Sequence, residues 1–322
     1  MTINFGLIGP GNIADRKLVP AVKEVDGAEF WSVTSRSKEK AEEFGKKHGA
    51  VPENYAYDDY EKMLSDPELD AVIVSTPDKL HAEHGIKAAQ AGKHVLMEKP
   101  MAASTAGGRE LLEARDENGI KLGVGYHLRW HGAHRGLMRK LEDGTLGKLH
   151  HVRVQWTFRA EDDSNWRADD EVGRWWSLGR TGTHGLDLVL WALSACGEVV
   201  EMESTIAREH WKGPHDETAM INLKFESGAT GELTTSILFE SEPEFKIYGR
   251  DGSAICRDTL GPDGEGELII SDENLNFPVL SLYEQEIEDF IRAIKDDREP
   301  EVTGEEGLRN VEIMEKAAPT EQ

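Results

Sequence analysis

A chain of 322 residues, 38% of them hydrophobic, is long for one core and comfortable for two. Its 61 acids against 37 lysines and arginines leave a formal charge of −24, which repels phosphate backbones and argues against a nucleic-acid partner. No apolar run approaches the roughly 18 residues of a membrane span. The first residues lead straight into a strand-like run without a secretory leader, and two cysteines, Cys196 and Cys256, make no disulfide framework. The expectation is a cytoplasmic protein with a small-molecule substrate and no membrane partner. The acids are dispersed along the chain, as in an ordinary acidic protein or in one adapted to high salt.

Strand and helix alternate through the first part of the chain. Ile3–Gly9 is a short apolar run ending in glycine, and Phe30–Thr34 is the next strand. Ser37 caps a predicted helix over Lys38–Lys47 that stops at Gly49, and Asp58–Leu64 reads as a short helix. Ala71–Val74 has the β-branched, wholly apolar character of a central parallel strand. Asp78 is expected to cap a helix ending near Gly92, His94–Met97 is a strand, Ser104 opens a helix ending near Gly119, and Ile120–Tyr126 follows as a strand. This rhythm predicts βαβ units and a parallel sheet.

The texture then changes. A helix near Gly132–Leu141 ends at Asp143–Gly144, and longer strands are expected at Leu149–Phe158, Val199–Ala207, Ala219–Phe225, Thr230–Phe239 and Phe245–Gly249. Ser227–Gly228 reads as a hairpin turn. Leu282–Ile294 is an amphipathic helix and Glu305–Lys316 a final one. The predicted fold class is α/β. A parallel-sheet, dinucleotide-binding domain spans 1–124, and an α/β domain with a large, mostly antiparallel open sheet spans 125–322. An open sheet face of this size predicts a homodimer or homotetramer.

Gly9-Pro10-Gly11-Asn12-Ile13-Ala14 follows the first strand and opens a helix, the dinucleotide fingerprint G-x-G-x-x-A. Gly9 makes the tight turn, Gly11 lets the backbone approach a pyrophosphate, and Ala14 allows close helix–strand packing. The helix start at Asn12 and Ile13 offers N–H groups to the phosphates. The second strand ends Thr34-Ser35-Arg36-Ser37, with no acid for a ribose 2′-hydroxyl; Asp26 and Glu29 lie before the strand. Arg36, with Ser35 and Ser37 beside it, suits a 2′-phosphate, so NADP is preferred to NAD.

Glu98-Lys99-Pro100 ends the strand His94–Met97, where open parallel sheets bind ligands. A lysine there can act as a compact cation beside a reacting oxygen, aimed by a proline-fixed turn that a cis bond would suit. Together with Ser75–His81, Ala91–Val95, Gly144–Gly147, Gly182–Asp187 and Tyr248–Ser253, this motif closely resembles the Gfo/Idh/MocA family of glucose–fructose oxidoreductase and inositol dehydrogenase. The resemblance covers nearly the whole chain. It implies hydride transfer between a nicotinamide and, usually, a sugar or cyclitol hydroxyl. It makes Lys99 the catalytic lysine, His184 the acid/base and Asp187 the acid one helical turn on. It puts Thr76, Pro77 and His81 along the cofactor, with Glu98 on its ribose side. One position departs: many members carry an aspartate four residues before the histidine, and here that residue is Arg180.

The chemistry stands without the resemblance. Alcohol oxidation needs a base for the hydroxyl proton and a cation for the developing alkoxide. A histidine can exchange a proton near neutral pH, which suits His184 as the base, and Lys99 is a cation; the converse assignment, with Lys99 moving the proton, stays open. Tyr126, Arg129, Trp176 and Arg180 are candidate substrate contacts; the first three have packing as their alternative, and Arg180 points to an anionic substrate or to a different set of polar contacts. His127, His131 and His134 have ligand-like spacing but no completing acid or cysteine, and no metal is expected. The leading reading is an NADP-preferring dehydrogenase or reductase. Beside it stand a redox-neutral glycosidase or epimerase that keeps its nicotinamide, and a non-catalytic dinucleotide sensor.

Overall fold

The computed structural model describes residues 2–211 and 213–319. They form two compact units, one running to Gly125 and including Tyr283–Val311, the other Tyr126–Leu282 with the segment from Glu312.

In the first unit six strands, β1 (Ile3–Ile8), β2 (Ala28–Thr34), β3 (Ala56–Tyr57), β4 (Ala71–Val74), β5 (His94–Met97) and β6 (Leu122–Val124), pair in the order β3-β2-β1-β4-β5-β6. Every pairing is parallel. All four residues of β4 are buried, as a strand covered on both faces must be. The order reverses between β1 and β4, which opens the ligand crevice at the strands' carboxyl edge.

The helix caps follow the sequence rules. Ser37 accepts the Lys40 N–H at 3.3 Å and starts Lys38–His48, which ends on left-handed Gly49 at φ 73°. Ser104 does the same for Thr105–Asn118 through Gly107, at 3.1 Å, and Gly119 ends that helix at φ 63°. Asp78 does not cap. It begins a 3-10 turn over Asp78–Leu80 with Pro77 at the cap position, its carboxyl is buried, and the α-helix proper is His81–Gln90. A buried carboxyl cannot swing out to cap the first turn.

The second domain expected over 125–322 does not run to the end of the chain, because Tyr283–Val311 packs with the first unit. The cause is apolar. Phe290 of the helix Leu282–Lys295 lies 6.3 Å from the Phe5 ring, and a Cβ on Gly123 would sit 3.1 Å from Phe290. A bridge joins Gly123 to Thr303, and a Cβ on Gly108 would meet Leu308 at 2.9 Å.

In the second unit eight strands follow: β7 (Leu149–Thr157), β8 (Val199–Ala207), β9 (Thr218–Phe225), β10 (Thr230–Ser236), β11 (Glu244–Gly249), β12 (Ser253–Arg257), β13 (Glu267–Ile270) and β14 (Glu273–Leu275). Their order is β14-β13-β12-β11-β7-β10-β9-β8, antiparallel except for β7 with β10. The hairpin at Ser227–Gly228 is present, with Gly228 at φ 85°. One face of the sheet packs on the helix Thr183–Ala192. Gly185 and Gly231 permit this approach: a Cβ on Gly185 would stand 2.6 Å from Leu233, and one on Gly231 2.4 Å from Val189. Among the described residues no helix is long and apolar enough to cross a membrane.

Candidate active site

Because β1, β2, β4 and β5 run parallel, the segments after them share one edge of the sheet. Those segments carry Gly9–Asn12, Ser35–Arg36, Ser75–Pro77 and Glu98–Lys99. Gly9 has φ 94°, and a Cβ there would lie 2.8 Å from Thr76 and 3.0 Å from the Ser75 backbone, so only glycine fits. A Cβ on Gly11 would meet nothing within 4 Å, so this backbone faces open space. The loop is held from both sides: Gly9 donates its N–H to Thr34 O at 3.2 Å, and Ser75 Oγ donates to Gly9 O at 2.6 Å. A helix opens at Asn12–Ile13, and Ala14, its close-packing residue, is fully buried. These features fit a dinucleotide: the first-turn N–H groups lack intrahelical partners and the approach is unobstructed.

The same helix takes a π turn over Ala14–Leu18 just before Pro20, which brings no N–H to an α-helical ladder. Asp15 in its first turn accepts from Lys47 at 2.6 Å and meets His48 at 2.7 Å. Hydrogen bonds from Lys47 and then His48 hold its carboxyl below the usual range. Asp15 thereby ties the phosphate-loop helix to the helix that follows Arg36, and its own charge is answered by Lys47. Arg36 is exposed.

Glu98 is buried at the end of β5, and its Oε2 accepts the Lys99 N–H at 3.2 Å. Lys99 is half-buried and its bond to Pro100 is cis, as the turn suggested. Tyr126, Arg129, Trp176, Arg180 and His184 all belong to the second unit. His184 follows a π turn over Leu178–Gly182 and opens the helix Thr183–Ala192, packed against the rings of His127 at 4.6 Å and Trp156 at 5.8 Å. Tyr126 is fully buried and shares a 2.9 Å hydrogen bond with Thr183, the residue before His184. Arg129 grips Asp187 with two bonds, Nε to Oδ2 at 2.9 Å and Nη2 to Oδ1 at 2.6 Å, and both residues are buried. Each thus has a partner within the core of this unit. Trp176 is 3% exposed and packs against Trp211 at 6.2 Å, a core environment. Arg180 is exposed, its guanidinium 3.7 Å from the Phe158 ring centre.

Two of the three histidines with ligand-like spacing, His131 and His134, are engaged within their own unit. His131 Nδ1 accepts the Ala133 N–H at 3.1 Å to cap the helix Gly132–Glu142, and its Nε2 meets Glu265 O at 2.9 Å. His134 is wholly buried between Leu128 O and Thr259 Oγ1, each at 2.8 Å, and burial depresses its pKa to about 3.

The oxidoreductase model of this architecture, described by its NAD-binding Rossmann fold, matches residues 3–126, and its companion C-terminal domain matches 134–255. The chain belongs to the Gfo/Idh/MocA family. This Gfo/Idh/MocA oxidoreductase is 29% identical to a 1,5-anhydro-D-fructose reductase of Ensifer adhaerens, over 99% of this chain and 97% of that one. It is 25% identical to a D-xylose 1-dehydrogenase [NADP(+)] of Haloarcula marismortui, covering 97% and 89%. Its fold matches that of an aldose–aldose oxidoreductase from Caulobacter crescentus, solved with glycerol, at a TM-score of 0.92 and 23% identity, covering 98% and 96%.

Two carboxyl groups of this Gfo/Idh/MocA enzyme escaped the sequence reading. Asp216 is fully buried and caps the helix that carries His184, accepting from Trp176 N at 3.0 Å, Leu178 N at 2.7 Å and Ser177 Oγ at 2.5 Å. No local signal links it to residues some forty positions earlier. Glu286 is 4% exposed, and neither of its carboxyl oxygens has a hydrogen-bond partner among the described residues. Burial first, then the charges of Glu98 and Asp289, push its pKa well up. Here a signal existed: Glu286 lies three residues after Tyr283 and four before Phe290, on the helix's apolar stripe.

Proposed function

We propose that this enzyme is an NADP-preferring sugar or cyclitol oxidoreductase, in which Lys99 stabilises the reacting oxygen and His184 exchanges the hydroxyl proton. The observation that carries this reading is the shared edge of the parallel sheet, where the open phosphate loop and the Glu98–Lys99 turn both stand. Relatives named for 1,5-anhydro-D-fructose and D-xylose support the substrate class. Gly9, Gly11, Asn12 and Ile13 would hold the pyrophosphate, with Thr76, Pro77 and Glu98 beside the rest of the dinucleotide. When bound, the nicotinamide supplies the hydride donor or acceptor. The residues do the rest. In the oxidation direction His184 takes the hydroxyl proton, and in reduction it returns it. The Lys99 ammonium favours the oxygen as negative charge develops on it. Arg180, exposed in the unit that bears His184, is the cation offered to a polar substrate group. Tyr126, Arg129 and Trp176 support this unit from within, through Thr183, Asp187 and the core.

Arg36 is the proposed contact for the 2′-phosphate, because no acid occupies the end of β2 and the side chain is exposed there. Losing one charge-assisted bond of this kind costs about 1.5–3 kcal/mol. Arg36→Ala is therefore expected to weaken NADPH binding about tenfold or more and to leave NADH binding nearly unchanged. Equal loss for both cofactors, measured by fluorescence titration, would reject the assignment.

We further propose a homodimer or homotetramer built on the open face of the second sheet. That face is more polar than its size suggested, with Arg153, Glu232 and Lys246 among Met220 and Tyr248, both 42% exposed. A tyrosine and a methionine set among ionic groups resemble a protein interface more than an aggregation patch. Light scattering at micromolar concentration is expected to give a dimer or tetramer mass, and a monomer there would contradict the proposal.

A further inference from the structure

His81 opens the helix His81–Gln90, is 2% exposed, and presents both ring nitrogens to backbone carbonyls: Nδ1 to Pro100 O and Nε2 to Thr76 O, each at 2.7 Å. A carbonyl oxygen only accepts. A neutral imidazole carries one N–H, so it would satisfy one carbonyl and press a lone pair against the other. The ring that fits this setting carries a proton on both nitrogens. The helix does not favour that cation, since His81 stands at the positive end of the helix dipole. Burial opposes the cation too, and the two carbonyls, each placed to accept from one ring nitrogen, favour it.

The two carbonyls belong to the segments that matter most in the first unit. Pro100 follows Lys99 directly. Thr76 follows Ser75, whose hydroxyl bonds Gly9 O at 2.6 Å, and Thr76 packs where a Gly9 side chain would be. Thr76 Oγ1 is also held by His84 Nδ1 at 3.0 Å, one turn along the same helix. An unbroken series of contacts thus runs from the phosphate loop through Ser75 and Thr76 to His81, and from His81 to the turn bearing Lys99.

We propose that His81 is a positioning residue, a doubly protonated ring that ties the Lys99 turn to the loop bracing the phosphate-binding glycines. This rests on the reading of Lys99 as the group at the reacting oxygen. His81 itself is buried behind that turn and meets carbonyls with both nitrogens, so it acts through Lys99 rather than on substrate. The charged and titratable groups on the segments around the ring are Asp78, Lys79, Glu83 and His84 on its own side. Glu98 and Lys99 stand in the turn, and Arg109 on the neighbouring helix Thr105–Asn118.

The test uses the full chain saturated with NADPH and labelled with ¹⁵N-histidine, with the His81→Asn spectrum assigning the ring. Both ring nitrogens are expected to show the protonated signature at about pH 8, well above the ordinary histidine value of about 6.5. A neutral tautomer at about pH 7 would overturn the proposal. His81→Asn cannot reach both carbonyls, and kcat is expected to fall by about tenfold to a hundredfold as Lys99 drifts. The KM for NADPH should rise by less than about fivefold, a smaller change than that in kcat, because Ser75 and His84 still hold the phosphate-loop side. His81→Gln, longer and able to donate to one carbonyl, is expected to recover part of kcat. Wild-type kcat in a folded His81→Asn or His81→Gln protein would also overturn it. The ring spectrum tests His81 even if the Asn variant fails to fold. Unchanged kcat in Lys99→Met would instead remove the reading of Lys99 and leave the spectral result standing.

Discussion

Lys99→Met is expected to lose about 10²–10³ in kcat while still binding NADPH, because the variant lacks only the cation proposed for the reacting oxygen. Methionine keeps most of the length and the apolar stem of lysine, so a half-buried position at the end of β5 is refilled without a cavity. The backbone features that hold the turn remain: the Lys99 N–H still bonds Glu98, and Pro100 O still faces His81. Fold and cofactor affinity should therefore be close to wild type, and the loss should fall on kcat. Steady-state kinetics beside a fluorescence titration of NADPH separates the two. A variant with near-wild-type kcat would remove Lys99 from the chemistry.

Arg129→Met is expected to destabilise the second unit by about 3–5 kcal/mol, since it leaves the Asp187 carboxylate buried without its bidentate partner. The pair is 4% and 3% exposed at its side chains, so water cannot replace the guanidinium. Arg129 also lies 5.2 Å from the Trp191 ring centre, so the change removes a ring contact too. Removing both charges tells a different story: Arg129→Met with Asp187→Leu should recover most of the loss, because a buried ion pair and an apolar pair of similar volume are often close in stability. Urea unfolding followed by tryptophan fluorescence measures this. An Arg129→Met protein within about 1 kcal/mol of wild type would show that water or another group already serves Asp187.

The two predictions separate what was legible in the chain from what was not. The parallel sheet and the segments at its carboxyl edge were readable because each step has a local cause: glycines that permit the Gly9 turn, serines that cap at Ser37 and Ser104, and the unbroken apolar run of β4. Periodicity does not reveal the extent of the helix Thr183–Ala192 beyond the turn from His184 to Asp187, because nearly all its residues are buried and it shows no polar stripe. Strands β12, β13 and β14 were missed for the opposite reason. They are short, and glycines and acids interrupt the chain between them. The return of Tyr283–Val311 to the first unit depends on Phe290 meeting Phe5 and Gly123 across a long stretch of chain, which no periodicity records.

The candidate site divides in the same way. Gly9, Gly11 and Lys99 were placed by motifs whose backbone geometry is local. Arg129 and Asp187 were each singled out for chemistry, and the structure pairs them with one another. That pairing appears only when the segment after β6 meets the helix carrying His184. His81, read as a residue along the cofactor, has both ring nitrogens on backbone carbonyls. Asp216 could not be found at all, because a cap supplied from the loop before a distant strand leaves no trace near the helix it serves.

The reaction assigned to this enzyme is hydride transfer between a nicotinamide and a sugar or cyclitol carbon. It is tested most directly by incubating the enzyme with NADP and a panel of aldoses and cyclitols deuterated at each carbinol carbon, then analysing the recovered cofactor by mass spectrometry. Reduced NADP carrying one deuterium is expected, formed in step with oxidised sugar and lost in the Lys99→Met protein. Cofactor recovered without deuterium from every sugar, with the sugars unchanged or cleaved without net oxidation, would contradict it.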